Sequence, residues 1–220
     1  MTQAPHHRPP QEPMFNAPPM ALLFPVLMVA GYLVQLSLGP RGEMDLLNGF
    51  ALSALLLRQG QWELLVTHLF LHGGWTHVFF NAAFCLAFAT PVVRAFGRSG
   101  WPSYILFYLL CGVLAGLGYC LLNWRDPVAI IGASGAVSGL IGAAMRLRGD
   151  GRLNGFFSPR VATMSAIYIG LNLLTSLIPL APGTAGVQIA WQAHIAGYLA
   201  GLLLIGPWLR LFHRHYFTES

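Results

Sequence analysis

Of the 220 residues, 55% are hydrophobic and 9% are charged, and the mean hydropathy is +0.60. A soluble domain carries roughly 25% charged residues, so a water-facing surface on all sides is excluded. The net charge of +5 is all arginine against seven acids. The arginines stand in short breaks between apolar runs rather than in a patch, which argues for topology signals and against a nucleic-acid surface. The runs are continuously apolar, not alternating, so helices and not a barrel are expected to cross the bilayer.

The first nineteen residues hold six prolines together with His6, His7 and Arg8. They read as a disordered cytoplasmic tail and not as a signal peptide, since no basic segment leads into a short apolar core. Six spans of about 20 residues follow in chain order: Met20 to Leu38, Trp75 to Phe96, Pro102 to Leu122, Ala129 to Leu147, Pro159 to Leu180 and Gln188 to Phe212. Residues 213–220 form a C-terminal tail. Between the first two spans lies a long connection, Gly39 to Gly74. Its apolar part, Leu46 to Leu57, is too short to span and is expected to form an interfacial or re-entrant helix. The fold class is thus an all-α membrane protein, a six-span helical bundle with a membrane-associated first loop. With the N-terminus inside, Arg8, Arg94, Arg98, Arg146, Arg148, Arg152, Arg160, Arg210 and Arg214 fall on the cytoplasmic side, and Arg41, Arg58 and Arg125 outside. That asymmetry places both termini in the cytoplasm.

Chemistry within the spans is narrowed by elimination. All seven acids (Glu12, Glu43, Asp45, Glu63, Asp126, Asp150, Glu219) fall in tails or loops. An intramembrane aspartyl protease and carboxylate-coupled transport both lose their equipment. His68-Leu69-Phe70-Leu71-His72 lacks the glutamate of a zinc-protease helix, and Cys85, Cys111 and Cys120 sit in apolar runs with no framework of spacing. No metal and no organic cofactor is implied. What remains is His77 and Asn81 on one face of the second span, Ser134 and Ser138 in the fourth, and His194 in the sixth. Gly135, Gly139 and Gly142 beside Ser134, and Gly197, Tyr198 and Gly201 beside His194, form stripes that let two backbones come close. Ser134 in Ile131-Gly132-Ala133-Ser134-Gly135 lies near a helix start, where free N–H groups face a developing oxyanion. The ordinary role of such a serine is helix packing. Set beside His194, His77 and Asn81 it reads as a nucleophile, with His194 as base and His77 and Asn81 as oxyanion donors. Without a buried carboxylate the pair is a dyad, its histidine oriented by packing or by a hydroxyl. Ser138 is expected to pack or to bond His194, His68 and His72 to sit in the loop without a metal, and His213 and His215 to lie in a solvated tail.

Gly132-Ala133-Ser134-Gly135 resembles the Gly-x-Ser-Gly motif of rhomboid proteases. Ala193-His194-Ile195-Ala196-Gly197-Tyr198-Leu199-Ala200-Gly201 resembles their last-span motif, and His72-Gly73-Gly74-Trp75-Thr76-His77-Val78-Phe79-Phe80-Asn81 their second-span signature. The resemblance covers roughly Arg58 to Gly201 and implies an intramembrane serine protease. Ser134 is then the nucleophile and His194 the base, while His77, Asn81 and the Ser134 N–H form the oxyanion hole. His72, Gly132, Gly135, Gly197 and Gly201 take supporting roles. It implies cleavage of single-span membrane proteins near the outer end of their helix, with the first loop gating water or bending lipid. Two features depart from the family pattern. Trp62 is followed by Glu63, where rhomboids often carry Trp-Arg, and Ser138 stands where many bacterial members have a tyrosine stacked on the histidine. What orients His194 is therefore left open. The rival readings are a rhomboid-like protein that binds membrane clients without cutting them, and a small transporter. Partners are transmembrane substrates and membrane lipids, not nucleic acid; the oligomeric state is left open. Arginine without lysine points to a GC-rich bacterial genome and the inner membrane, an organellar membrane being the alternative.

Overall fold

The computed structural model describes residues 17–177 and 190–218. Among the described residues nine α-helices account for the architecture, and strand pairing is limited to two isolated bridges, Leu52 with Ile130 and Leu147 with Leu153. A 3₁₀ turn at Pro19–Leu22 leads into α1 (Leu23–Ser37). The connection that follows holds α2 (Gly39–Phe50), α3 (Ala54–Arg58), α4 (Leu64–Thr67) and a 3₁₀ turn at His68–Phe70. Then come α5 (Trp75–Phe96), α6 (Trp101–Leu122), α7 (Ser134–Arg146), α8 (Pro159–Leu177) and α9 (Trp191–Phe212). Prolines open α2, α6 and α8, where a missing N–H costs nothing.

This is the expected all-α membrane architecture, with two differences in its parts. Four helical stretches, Pro19–Ser37, Trp75–Phe96, Trp101–Leu122 and Trp191–Phe212, are long and apolar enough to cross a bilayer unaided. The expected fourth span is shorter than drawn. Residues 129–133 are not helical, because Leu52 and Ile130 exchange backbone hydrogen bonds (3.0 and 2.8 Å) and Gly132 N–H donates to His68 O (2.8 Å). That leaves α7 with 13 residues, about 20 Å of helix against a hydrocarbon core of about 30 Å. Ten of its residues are buried, so α5, α6, α8 and α9 enclose it and lipid does not.

The first loop also differs. Helix α2 starts seven residues before the expected Leu46 and buries none of its side chains, as an interfacial helix should. The chain then breaks at Ala51–Ser53, where Leu52 is tied to Ile130, and Ser53 caps α3 by accepting from Leu56 N–H at 3.2 Å. The tail residues through 16, the end of the expected fifth span and the beginning of the sixth fall outside the described residues.

Around the C-terminal end of α9 two sequence expectations are corrected. His213, expected in a solvated tail, is buried: it stacks on Phe96 and shares the Ser103 hydroxyl with Trp208 Nε1, both at 2.6 Å. Arg146 is more than a topology signal. It too is buried, donating from Nε to Asn154 O (2.6 Å) and from Nη1 to Leu202 O (3.3 Å), with its guanidinium over the Phe156 ring. Burying a guanidinium is tolerable when its donors meet carbonyls and an aromatic face.

The expected stripes of small residues meet where α7 crosses α9. A Cβ on Gly197 would overlap Gly135 O, one on Gly201 would overlap Gly139 O, and one on Gly142 would overlap Tyr198 O. Backbone thus lies directly on backbone, and only glycine permits it. Gly201→Val should destabilise the fold by about 3 kcal/mol or more, because the carbonyl it meets cannot turn away as a side chain could. Thermal unfolding in detergent checks this: an unfolding temperature unchanged from wild type would refute the backbone contact.

Candidate active site

Three elements carry the site, and each is placed by local structure. Ser134 is the first residue of α7. The first bond of that helix runs from Val137 N–H to Ala133 O (3.0 Å), so the N–H groups of residues 134–136 precede the helical ladder. The extended approach to Ser134 is fixed by Tyr119 OH donating to Val128 O (3.1 Å), by the Leu52–Ile130 pair and by the Gly132–His68 bond. Gly132 has φ +112°, where a side chain is strained, and a Cβ there would stand 2.7 Å from both Cε1 and Nε2 of His77. Glycine is therefore required twice over at this position, for its backbone angle and for the ring above it.

On α9, His194 turns its Nε2 to Ser134 Oγ at 2.7 Å. On the other side of the ring, Nδ1 meets Asn172 Oδ1 of α8 at 2.8 Å. Asn172 in turn donates from Nδ2 to Tyr168 O (2.9 Å), which leaves Oδ1 to face the ring. An amide oxygen only accepts, so Nδ1 carries the proton and Nε2 presents a lone pair to the serine hydroxyl. A histidine in that tautomer can take a proton from Ser134, and the hydroxyl is close enough to give it.

His77 and Asn81 of α5 sit over the same backbone. Gly73 N–H donates to His77 Nδ1 (3.3 Å), which makes Nε2 the protonated nitrogen, and Nε2 lies on the Gly132 side. Asn81 is buried, and its Nδ2 has no hydrogen-bond partner among the described residues. A Cβ on Gly132 would meet that Nδ2 at 3.7 Å. Two side-chain donors therefore converge just before the nucleophile's position, and an anion formed there would satisfy an otherwise costly orphan.

Of the residues predicted from sequence, the structure gathers Ser134, His194, His77 and Asn81 in one place. Ser138 does not bond His194. Its hydroxyl donates to Ser134 O (2.6 Å) and accepts from Tyr168 OH (2.6 Å). Tyr168 stacks on Tyr198 at 4.7 Å, and Ser165 meets Tyr198 OH at 2.7 Å. The residue missed is Asn172. Its signal was a carboxamide inside an apolar span, one helical turn from Tyr168 on the same face.

Nor is the first loop held through Trp62 and Glu63, both of which are exposed. Gln35 of α1 donates to His72 O (2.7 Å) and to Glu43 Oε1 (2.9 Å), and accepts from His72 N–H (3.2 Å). The His72 ring, whose nitrogens are both enclosed with no hydrogen-bond partner among the described residues, packs edge-on to His77 at 5.2 Å. His68 donates from Nδ1 to Leu64 O at 2.6 Å.

The geometry accords with the comparisons. The family description for the rhomboid domain matches residues 59–210, and this chain belongs to the rhomboid family. It is 28% identical over 162 residues to the rhomboid protein YdcA of Bacillus subtilis, covering 73% of this chain and 72% of that one. It is 28% identical over 186 residues to the rhomboid protease GluP of the same organism, covering 84% of this chain and 34% of GluP. RHOMBOID-like protein 5 of Arabidopsis thaliana is 27% identical over 157 residues, 70% of this chain and 46% of that protein. The chain is thus a multi-pass integral membrane protein.

The loop histidines carry a pH dependence. Burial pushes His68 down to about 4, and burial with His77 alongside does the same to His72. Both rings are neutral in the folded protein at pH 7. Below about pH 6.5 the unfolded chain takes up protons that the folded loop refuses, so stability falls as the pH drops from about 6.5 towards 4. The loss reaches at most about 3 kcal/mol for each ring. Denaturation followed between pH 7 and 4 should show this slope, and His68→Gln should make it shallower. An identical slope in that variant would contradict the assignment.

Proposed function

We propose that this protein is an intramembrane serine endopeptidase that cleaves single-span membrane proteins near the outer end of their helix. The observation that carries the reading is the 2.7 Å contact between Ser134 Oγ and His194 Nε2, made by a histidine whose other nitrogen is already committed as a donor. The family and the protease names of relatives support the same chemistry.

Ser134 Oγ attacks the scissile carbonyl carbon while His194 Nε2 takes its proton. The tetrahedral oxyanion is received by His77 Nε2–H, Asn81 Nδ2–H and the Ser134 N–H. The carbon–nitrogen bond then breaks as the imidazolium returns the proton to the leaving amine, and Ser134 holds the acyl group. Water attacks the acyl carbon as His194 takes one of its protons. That proton returns to Oγ when the ester bond breaks. A helical substrate must unwind before its carbonyl can be attacked, so small or helix-weakening residues near the outer end are the expected cleavage context. The arginine distribution supports both termini in the cytoplasm and the first loop outside. Arginine without lysine supports a bacterial inner membrane.

The test is cleavage of a single-span reporter by the full chain in liposomes. Wild type should cut, whereas Ser134→Ala and His194→Ala should each lose on the order of 10⁴-fold or more. Asn81→Ala should lower kcat by roughly 10²–10³-fold, the effect of removing one oxyanion donor. Should folded wild type bind such reporters and cut none, the client-binding reading replaces this one.

A further inference from the structure

We propose that Asn172 is a positioning residue for His194, a neutral third member of the site that fixes the base's tautomer and ring orientation from α8. The proposal rests on the reading of Ser134 and His194 as nucleophile and base.

A histidine between a nucleophile and nothing else is free to rotate about its side-chain bonds and to carry its proton on either nitrogen. Here the ring is held at both ends, by Ser134 Oγ at 2.7 Å and by Asn172 Oδ1 at 2.8 Å. The carboxamide cannot present its other end, since Nδ2 is engaged with Tyr168 O at 2.9 Å. Tyr168, one turn earlier on α8, is itself immobilised by its stack on Tyr198 and its bond to Ser138 Oγ. Ser138 completes the circuit by donating to the carbonyl of Ser134. The base and the nucleophile's backbone are thus tied to the same turn of α8. Asn172 is buried, so water competes poorly for its bond to the ring.

An amide suits this depth better than a carboxylate. A charged Asp inside the bilayer is costly, whereas Oδ1 of Asn accepts the Nδ1 proton with no charge to desolvate. When His194 takes the serine proton, the carbonyl dipole lies against the imidazolium and stabilises it in part. The position that holds tyrosine in many bacterial rhomboids is Ser138 here, and Ser138 makes its hydrogen bonds to Ser134 O and Tyr168 OH and none to the ring. Orientation is supplied from a different helix.

The experiment compares wild type, Asn172→Ala, Asn172→Asp and Ser134→Ala in liposomes with the same reporter, measuring kcat and KM against pH. Alongside these, imidazole 15N spectra of His194 are recorded on the full-length proteins. Asn172→Ala should lower kcat at least about tenfold with KM changed less than about threefold, as befits a group that acts on the base rather than on substrate binding. Its His194 spectrum should lose the single Nδ1–H tautomer of wild type. Asn172→Asp keeps an acceptor and should recover most of that loss. Where its carboxyl ionises it stabilises the imidazolium, so the acid limb of kcat/KM moves to higher pH. If Asn172→Ala retains wild-type kcat and the Nδ1–H tautomer while Ser134→Ala is inactive, Asn172 merely packs, and the protease reading stands without it. A fall in kcat that only matches a fall in folded protein, with the tautomer retained, overturns the proposal equally. Should Asn172→Ala fail to fold, Asn172→Asp decides: a pH profile and spectrum identical to wild type refute the role. Cleavage by Ser134→Ala would instead sink the underlying reading.

Discussion

Ser134 and His194 are sixty residues apart in sequence, and the distance between them in space is set by two backbones. Helices α7 and α9 meet through Gly135 and Gly197, Gly139 and Gly201, and Gly142 and the Tyr198 carbonyl, with no side chain interposed. Inside a bilayer, lipid tails are as apolar as leucine, so burial of apolar surface does little to bring helices together. Close packing of backbone does, and it also fixes the helices in relation to one another more tightly than interleaved side chains would. A contact of 2.7 Å between a hydroxyl and an imidazole tolerates little sliding of one helix along the other. The glycine crossing supplies that constraint.

A second constraint follows from the shortness of α7. The helix begins at Ser134 instead of at the membrane surface because the preceding residues are drawn out against the first loop, Ile130 on Leu52 and Gly132 on His68. This places the start of a helix, with N–H groups that have no helical partner, within the protein's interior and beneath His77 and Asn81. Irregular backbone at such depth is tolerated only where protein partners satisfy it. The first loop meets that need, and α1 holds the loop in turn through the paired bonds of Gln35 to the His72 backbone. What looks like a peripheral loop is therefore part of the support beneath the site.

The polar groups of α8 complete the picture. Ser165, Tyr168 and Asn172 lie along one side of the helix and reach Tyr198, Ser138 and His194 respectively. Each bond is neutral, which suits a medium where charges are costly and satisfied dipoles are not. The circuit links the nucleophile's helix, the base's helix and α8 without one ionised partner.

By itself the sequence determined the membrane class, the helical architecture and the four polar residues that gather at the site. Composition and the length of apolar runs carry the first two, because lipid admits few solutions. The rarity of His, Asn and Ser in such runs exposed Ser134, His194, His77 and Asn81. Only the tertiary structure decided where α7 begins, since Ala129 to Ala133 are as apolar as a helix requires and a backbone pairing with distant Leu52 overrides that preference. Only packing decided that His213 and Arg146 turn inward, because Ser103, which holds His213, and Leu202, one of the two carbonyls that Arg146 meets, are far away in the chain. Asn172 belongs with these. Its composition made it notable, but which polar group it faces depends on the rotation and depth of α8 against α9, and no local pattern encodes a relation between two helices.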